Sequence, residues 1–328
     1  MSIVSSDPDA AVKRLKDAYR VLVTCHRNPD GDALGSELGL AELADRLGVE
    51  TVIANRDATP ANLSHLPGIE KVQVAEELPQ QFPEGFDLVL TVECPQLSRS
   101  GFEGLSGLPI LNIDHHPDNP AYGVVNFLDA EAPAVGEMVW RMFGEAGLIP
   151  SPDAATNLFV ALSTDTGDFR FSNANGRAFR TAAEMVDAGA RPPVVANWIH
   201  NNRSLASVRL LGEALRSLKI LCDGKLALIS ADKDAFERAG AGPEDTEEIV
   251  NVPRSVTGVE AVAYFKQWEP GRVRVSLRSR GGVDVREVAQ SFGGGGHTNA
   301  AGCTIDGELD EIRNRVAAAV AEALGERL

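Results

Sequence analysis

The chain has 328 residues, 44% of them hydrophobic and 24% charged, which is enough for two ordinary domains with separate cores. Its formal net charge of −16 speaks against a partner such as long duplex DNA, which an extended basic surface would have to grip. No apolar run approaches the roughly 20 residues of a membrane helix, and the opening MSIVSSDPDAAVKRLK lacks the apolar core of a secretory leader, so a cytoplasmic protein without membrane association is expected.

From the amino terminus, apolar strands alternate with amphipathic helices, the pattern of a mostly parallel sheet covered on both faces. Asp7 or Asp9 is placed to cap a helix running to Tyr19; residues 20–25 (RVLVTC) read as a strand, and residues 32–47 as a helix stopped by Gly48. Further strands are expected at 50–54, 86–92, 108–113 and 124–128, then helices at about 134–146, 152–162 and 176–188. At residues 189–204, GARPPVVANWIHNNRS, a proline pair precedes polar residues and a helix start at Ser204, the composition of a linker. Beyond it come strands at 219–221, 225–229, 259–266 and 272–279, a short helix at 283–292, and an alanine-rich helix at 309–324. The expected organisation is a larger α/β domain (1–190), a linker (191–217) and a smaller carboxyl-terminal α/β domain (218–328), with the active site in the cleft between them. The four cysteines, Cys25, Cys94, Cys222 and Cys303, form no CxxC pair, which speaks against a structural zinc site or a disulfide framework.

Ligands in open parallel sheets bind outside the carboxyl ends of the strands. Four chemically rich segments fall there or beside it. His26, Asp30 and Asp32 follow the strand RVLVTC, with Asn28, Pro29 and Gly31 making the turn; Glu93 follows FDLVLTV; Asp114, His115 and His116 follow LPILNI; and Asp165 lies in STDTGDFRF after an apolar helix. Taken singly, each has a plain reading: Asp30 or Asp32 can cap the helix 32–47, and a DHH tripeptide can be a polar strand end. Their joint occurrence within one domain, in a chain with only six histidines, points to metal. The set is larger than one tetrahedral zinc needs, and its oxygen-rich character suits Mn²⁺ or Mg²⁺, with histidine favouring manganese. Two ions about 3.5–4 Å apart, sharing a carboxylate and a water, are the usual solution for breaking a phosphoester bond.

A second constellation lies near the carboxyl end. In RVRVSLRSR, alternation puts Val273, Val275 and Leu277 on one face and Arg272, Arg274, Ser276, Arg278 and Arg280 on the other. Guanidinium groups so arranged can pair bidentately with phosphates, and Arg278 and Arg280 are the better candidates, whereas Arg272 and Arg274 read as a solvated strand face. The following SFGGGGHTNAAG exposes backbone N–H groups at Gly293–Gly296 in a concavity suited to an anion, with His297 as an added donor.

These motifs resemble the DHH phosphoesterases. HRNPDGDALGS is similar to the family's first motif, IDHH to its name-giving motif, STDTGDFRF to its fourth, and SLRSRGGVDVREVAQSFGGGGHTNAAG to the DHH-associated carboxyl-terminal domain; within the family, NrnA-type nanoRNases that also dephosphorylate 3′-phosphoadenosine 5′-phosphate (pAp) are most alike. The resemblance implies that His26 and Asp30 bind one Mn²⁺, that Asp32, His115 and Asp165 bind the other, and that Glu93 bridges them. It implies that His116 faces the scissile phosphate, that Asp114 orients the histidines or the attacking water, and that Arg278, Ser279, Gly294, Gly295, Gly296 and His297 hold the far end of the nucleotide. The family usually carries aspartate where this chain has Glu93.

The activity so implied is hydrolysis of short RNA, about two to five nucleotides long, and of pAp, because an anion pocket at a fixed distance from the metals selects short substrates. A phosphodiesterase for linear dinucleotides (pApA, pGpG) is the alternative enzymatic reading. A catalytically weakened nucleotide-binding regulator is the alternative from another class. A RecJ-like exonuclease would want further nucleic-acid-binding domains, and a type II pyrophosphatase a different carboxyl-terminal domain. By family analogy alone, a homodimer is expected.

Overall fold

The computed structural model describes residues 2–201, 203–246 and 249–327, without the side chains of His200 and His297. The chain divides into two compact units, Met1–Asn202 and Arg203–Leu328.

The first unit runs β1 (Ile3–Ser5), α1 (Asp9–Lys16), β2 (Arg20–Thr24), α2 (Gly31–Arg46), β3 (Glu50–Asn55), β4 (Val72–Val74), β5 (Leu88–Val92), β6 (Ile110–Asp114), β7 (Val125–Leu128), α3 (Val135–Glu145), α4 (Pro152–Asp165), α5 (Gly176–Asp187) and α6 (Pro192–His200). Its seven strands pair in the order β1-β7-β6-β5-β2-β3-β4, every pair parallel. β5 and β6 are buried along their whole length because both faces are covered, which is why they read as unbroken apolar runs. Val21, Val23, Leu88, Leu90 and Val92 face a core shared with α2, α3 and α4, while Leu22 and Val89 face a smaller cluster with Phe102 and Leu105. The strand order reverses between β2 and β5, and at such a switch point the loops leave a crevice beyond the strand ends.

Glycine sets how closely α2 meets α4. A Cβ at Gly31 would lie 2.5 Å from Thr164 Oγ1, one at Gly35 2.3 Å from the Asn157 carbonyl, and one at Gly39 2.5 Å from Leu158. Spaced four apart, the three glycines form one stripe down α2. The DGDALGSELGL segment therefore does two things: its aspartates occupy the helix start, and its glycines bring in the carboxyl end of α4 that carries Asp165.

The second unit contains α7 (Leu205–Arg216), β8 (Lys219–Leu221), β9 (Leu226–Ala231), α8 (Lys233–Ala239), α9 (Asn251–Arg254), β10 (Ala261–Glu269), β11 (Arg272–Ser279), α10 (Val285–Ser291), β12 (Gly295–His297), β13 (Ala300–Asp306) and α11 (Leu309–Ala323). Its sheet, ordered β12-β13-β11-β10-β9-β8, is antiparallel except for β9 with β10. One face packs on α10 and α11 through Phe265, Val275, Leu277 and Val316; the other packs on α7 and α8 through Val262 and Tyr264.

Three local expectations differ from the structure. Residues 191–217 are largely helical, and α6 contributes the buried Val195 to the first core; its proline pair starts the helix, where no intrahelical N–H is needed. α1 is capped by neither Asp7 nor Asp9 but begins after Pro8 without a side-chain cap. The glycine run partly becomes strand β12, since its backbone pairs with β13. No described helix is long and apolar enough to cross a membrane.

Candidate metal centre

The first cluster is built on the turn from β2 to α2. His26 Nδ1 lies 2.7 Å from the Arg27 carbonyl, which can only accept, so the proton sits on Nδ1 and Nε2 is left as a ligand, 3.9 Å from Asp30 Oδ2. Asp30 caps α2, its Oδ1 accepting from Ala33 N–H at 3.0 Å and its other oxygen remaining available. Asp32, 1% exposed, accepts from Val135 N–H (2.7 Å), Gly136 N–H (2.9 Å) and Ser36 Oγ (3.0 Å).

Glu93 follows β5 with φ 53°, a left-handed conformation that costs a glutamate energy and is kept only where the surroundings impose it. Its Oε1 lies 3.4 Å from His115 Nε2 and its Oε2 3.1 Å from His116 Nδ1. The His116 Nδ1 proton is already committed to Asp114 Oδ1 at 2.8 Å, so Oε2 is buried without a hydrogen bond among the described residues. Asp114 is fully buried and accepts from the backbone N–H groups of His115 and His116 and from Asn119, so it orients the tandem histidines from below. His115 donates Nδ1–H to the Ala132 carbonyl (3.0 Å), which turns Nε2 toward Glu93 and Asp165, the latter at 3.8 Å. Asn173 donates to Asp165 Oδ2 at 3.2 Å.

The structure thus brings together His26, Asp30, Asp32, Glu93, His115, His116 and Asp165. Their ligand atoms form three groups, each within 4.8 Å internally: His26, Asp30 and Glu93; Asp32, Glu93, His115 and Asp165; and Glu93, His115 and His116. Glu93 belongs to all three.

Electrostatics records the crowding. Burial, and then the charges of Glu93 and Asp165, push the Asp32 carboxyl well above the usual range; burial lifts Asp165 to about 7. Burial also works against ionised Glu93, but the imidazoles of His115 and His116 that face it outweigh burial and hold its carboxyl well below the ordinary value. The two imidazoles rise despite burial: His115 through Glu93, and His116, to about 10, through Asp114 and Glu93. Protons and divalent cations compete for these lone pairs. Four carboxylates, two Nε2 atoms and an orphaned buried oxygen on Glu93 fit divalent cations, which supply the countercharge that so dense an anionic set needs.

Asn119, Asn173 and the backbone of residues 132–136 were not singled out in the sequence. Both asparagines sit within a few residues of a motif, in HHPDNP and DFRFSN, and that adjacency is their only signal.

In the second unit, Arg272, Arg274, Ser276, Arg278, Gly295 and Thr304 line a cavity of about 570 Å³ on the half of the sheet that α7 and α8 leave open. Arg272 and Arg274, read as a solvated face, share this cavity with Arg278. Ser279 falls on the opposite, covered face, where its hydroxyl donates to Asn299 Oδ1 at 3.0 Å, so it is separated from the arginines. Gly294 N–H is spent on the Ala289 carbonyl (2.8 Å), and a Cβ there would lie 2.1 Å from the Gly302 oxygen, whereas Gly293 and Gly295 face open space. Gly294 and Gly296 thus serve close strand packing. The side chain of His297 lies outside the described residues.

The family model described as "DHH family, N-terminal domain" matches residues 20–162, and the DHHA1 domain model matches residues 227–322. The bifunctional oligoribonuclease and PAP phosphatase NrnA of Thermus thermophilus is 33% identical over 306 residues, 93% of this chain and 90% of that protein. The chain belongs to the DHH phosphoesterase family. The protein of the same description from Bacillus subtilis is 26% identical over 291 residues, 87% of this chain and 89% of its own length. Among solved structures, an exopolyphosphatase-related protein from Bacteroides fragilis superposes with a TM-score of 0.86 at 25% identity, covering 97% of this chain and 95% of that one. The match to the DHH model holds every residue of the cluster except Asp165, which lies just beyond it, and the DHHA1 match holds the arginine-lined cavity.

Proposed function

We propose that this DHH-family protein is a Mn²⁺-dependent phosphoesterase that degrades RNA of about two to five nucleotides to mononucleotides and dephosphorylates pAp. The observation that carries the reading is the sharing of Glu93 between the His26–Asp30 group and the Asp32–His115–Asp165 group, since a common carboxylate is what a two-ion phosphoesterase requires. The description of the Thermus and Bacillus relatives supports the substrate class.

His26 and Asp30 would hold one ion and Asp32, His115 and Asp165 the other, with Glu93 within reach of both sets. When bound, the ions supply Lewis acidity at the phosphoryl oxygens and lower the pKa of a coordinated water, and imidazole in the set favours Mn²⁺ over Mg²⁺. The carbonyls of Arg27 and Ala132 fix the tautomers of His26 and His115, so both present Nε2 without rearrangement. Asp114 fixes the His116 ring through Nδ1, and a ring so held would hydrogen-bond a phosphoryl oxygen of the substrate. Water oxygen bonds to phosphorus as the bond from phosphorus to the ribose oxygen breaks, the water gives up one proton and the departing oxygen takes one to leave as a hydroxyl, and these side chains hold the phosphoryl group in line for that displacement. Arg278, with Arg274 and Arg272, binds substrate phosphates through guanidinium forks and contributes affinity rather than chemistry. The protein acts in the cytoplasm, and family analogy favours a homodimer.

The deciding experiment compares hydrolysis of a labelled RNA dinucleotide, a pentanucleotide and a chain roughly five times longer with phosphate release from pAp, in Mn²⁺, in Mg²⁺ and after chelation. The dinucleotide and pAp are expected to turn over fastest in Mn²⁺. A long chain cut as fast as the dimer refutes the short-substrate reading, chelator-resistant activity refutes the metal reading, and preference for pApA or pGpG over RNA selects the dinucleotide alternative.

A further inference from the structure

Three residues of one presumed ion site lean on a single loop. Between β7 and α3, residues 129–136 present the Ala132 carbonyl to His115 Nδ1 (3.0 Å) and the Val135 and Gly136 N–H groups to Asp32 (2.7 and 2.9 Å). The Pro133 carbonyl accepts from Asn173 (3.0 Å), whose amide also donates to Asp165 Oδ2 (3.2 Å). His115, Asp32 and Asp165 are the members of the second ion's set. The first set leans elsewhere: His26 on the Arg27 carbonyl and Asp30 on Ala33 N–H.

The loop itself is pinned by charge. Asp129 Oδ2 receives Arg141 Nη1 and Arg177 Nη1, both at 2.9 Å, and its Oδ1 accepts from Glu131 N–H at 3.1 Å. Arg177, from α5, turns its remaining fork on Glu137 in the first turn of α3, with Nε 2.7 Å from Oε1 and Nη2 on Oε2. Glu137 is 3% exposed and Asp129 11%, so the clamp is largely shielded from solvent. One guanidinium therefore ties down both ends of the loop: Asp129 where it leaves β7 and Glu137 where it enters α3. A lysine has the charge but not the fork.

We infer that Arg177, with Asp129 and Glu137, is a positioning residue for one ion of the pair: it sets the loop that aims His115, Asp32 and Asp165, and leaves the His26–Asp30 set untouched. The inference rests on the two-ion reading above. A tie serving only to join α3 to α5 would alter both ion affinities equally or not at all.

The test is Mn²⁺ binding followed by electron paramagnetic resonance, which does not depend on turnover. Wild-type protein is expected to bind two ions. R177M should weaken one of them about 10- to 100-fold and leave the other within about twofold, the size of loss seen when groups behind a metal ligand are removed. In an H26A background, where the loop-held set remains, adding R177M should loosen the remaining ion. In a D165A background, which spoils that set, adding it should change nothing further. E137Q keeps the shape and removes the charge, and should give a smaller loss at the same ion; R238M, which breaks an exposed pair with Glu213 in the second unit, should change neither affinity. Melting curves confirm that each variant is folded. Equal loss at both ions, or none in a folded R177M or E137Q, overturns the inference. Fewer than two ions in the wild type overturns the functional reading first, and this inference with it.

Discussion

The two units solve opposite electrostatic problems by opposite means. The first gathers acids and imidazoles behind the ends of buried parallel strands, and four of its carboxyl or imidazole groups are displaced upward by burial or by each other. The second sets arginines in a row on the open face of an interior strand, lining a cavity. A buried site works by fixed geometry, because His26, Asp30, Asp32 and His115 are each held by a backbone group and have little room to adjust. An exposed arginine row works by charge and reach, and tolerates small displacement. Damage to the first unit should therefore fall on kcat, and damage to the second on KM.

The largest effect follows from removing a candidate ligand that is itself held three times over. Asp32→Ala should lower kcat by about a thousandfold or more, roughly 4 kcal/mol of transition-state stabilisation, with KM changed far less. Steady-state kinetics over a Mn²⁺ series check it, and kcat within tenfold of wild type would break the contrast at its strongest point. Glu93→Asp comes next. Shortening the side chain by one carbon–carbon bond, about 1.5 Å, withdraws the carboxylate from one of the groups it joins, and kcat should fall about tenfold or more. A large gain would mean that Glu93 had compromised the centre and that the chain is a weakened relative of active enzymes. Arg278→Ala should raise KM for a dinucleotide about tenfold, the worth of one charged hydrogen bond, and leave kcat within about threefold. If kcat falls instead, the division of labour between the units is wrong.

The parts of the centre that could be seen in the sequence are those written in side chains at strand ends: His26, Asp30 and Asp32 after β2, and the tandem histidines after β6. What could not be seen is written in the backbone. The carbonyls of Arg27 and Ala132 and the N–H groups of Val135 and Gly136 belong to residues with no ligand chemistry of their own, yet they aim three of the ligands. Nothing in TVECPQ marks the left-handed turn at Glu93, because a strained backbone at a non-glycine residue is imposed by its surroundings. The same blindness hid α6, where a proline pair looks like a break but starts a helix, and β12, where a glycine run looks like a loop but its last two glycines pair with β13. Alternation correctly put Arg272, Arg274 and Arg278 on one face of β11, with Arg280 falling beyond the strand, but could not say how much of that face α7 and α8 leave uncovered.

The smallest effect on turnover, and the sharpest on stability, concerns a carboxyl just behind the centre. Glu37 on α2 is fully buried; its Oε2 accepts from Asn55 Nδ2 at 2.7 Å, while Oε1 has no hydrogen-bond partner among the described residues. Burial lifts its pKa to about 8, with the Asn55 bond pulling part of the way back. A carboxyl whose folded value exceeds its unfolded value keeps a proton in the native state that the unfolded chain has released. Its contribution to stability is therefore complete below the unfolded value of 4.5 and drains away as pH rises through about 8. Glu37→Gln keeps the size and the oxygen facing Asn55 but has no proton to lose. The variant should match wild type near pH 5 and exceed it by about 1–3 kcal/mol near pH 8, a range kept well below what the full shift implies. Hydrogen exchange read separately over the two units should place that gain in the first and none in the second. A pH-independent difference, or protection gained equally in both, would mean that the acid is not confined to the buried unit and that the contrast between the two halves is overdrawn.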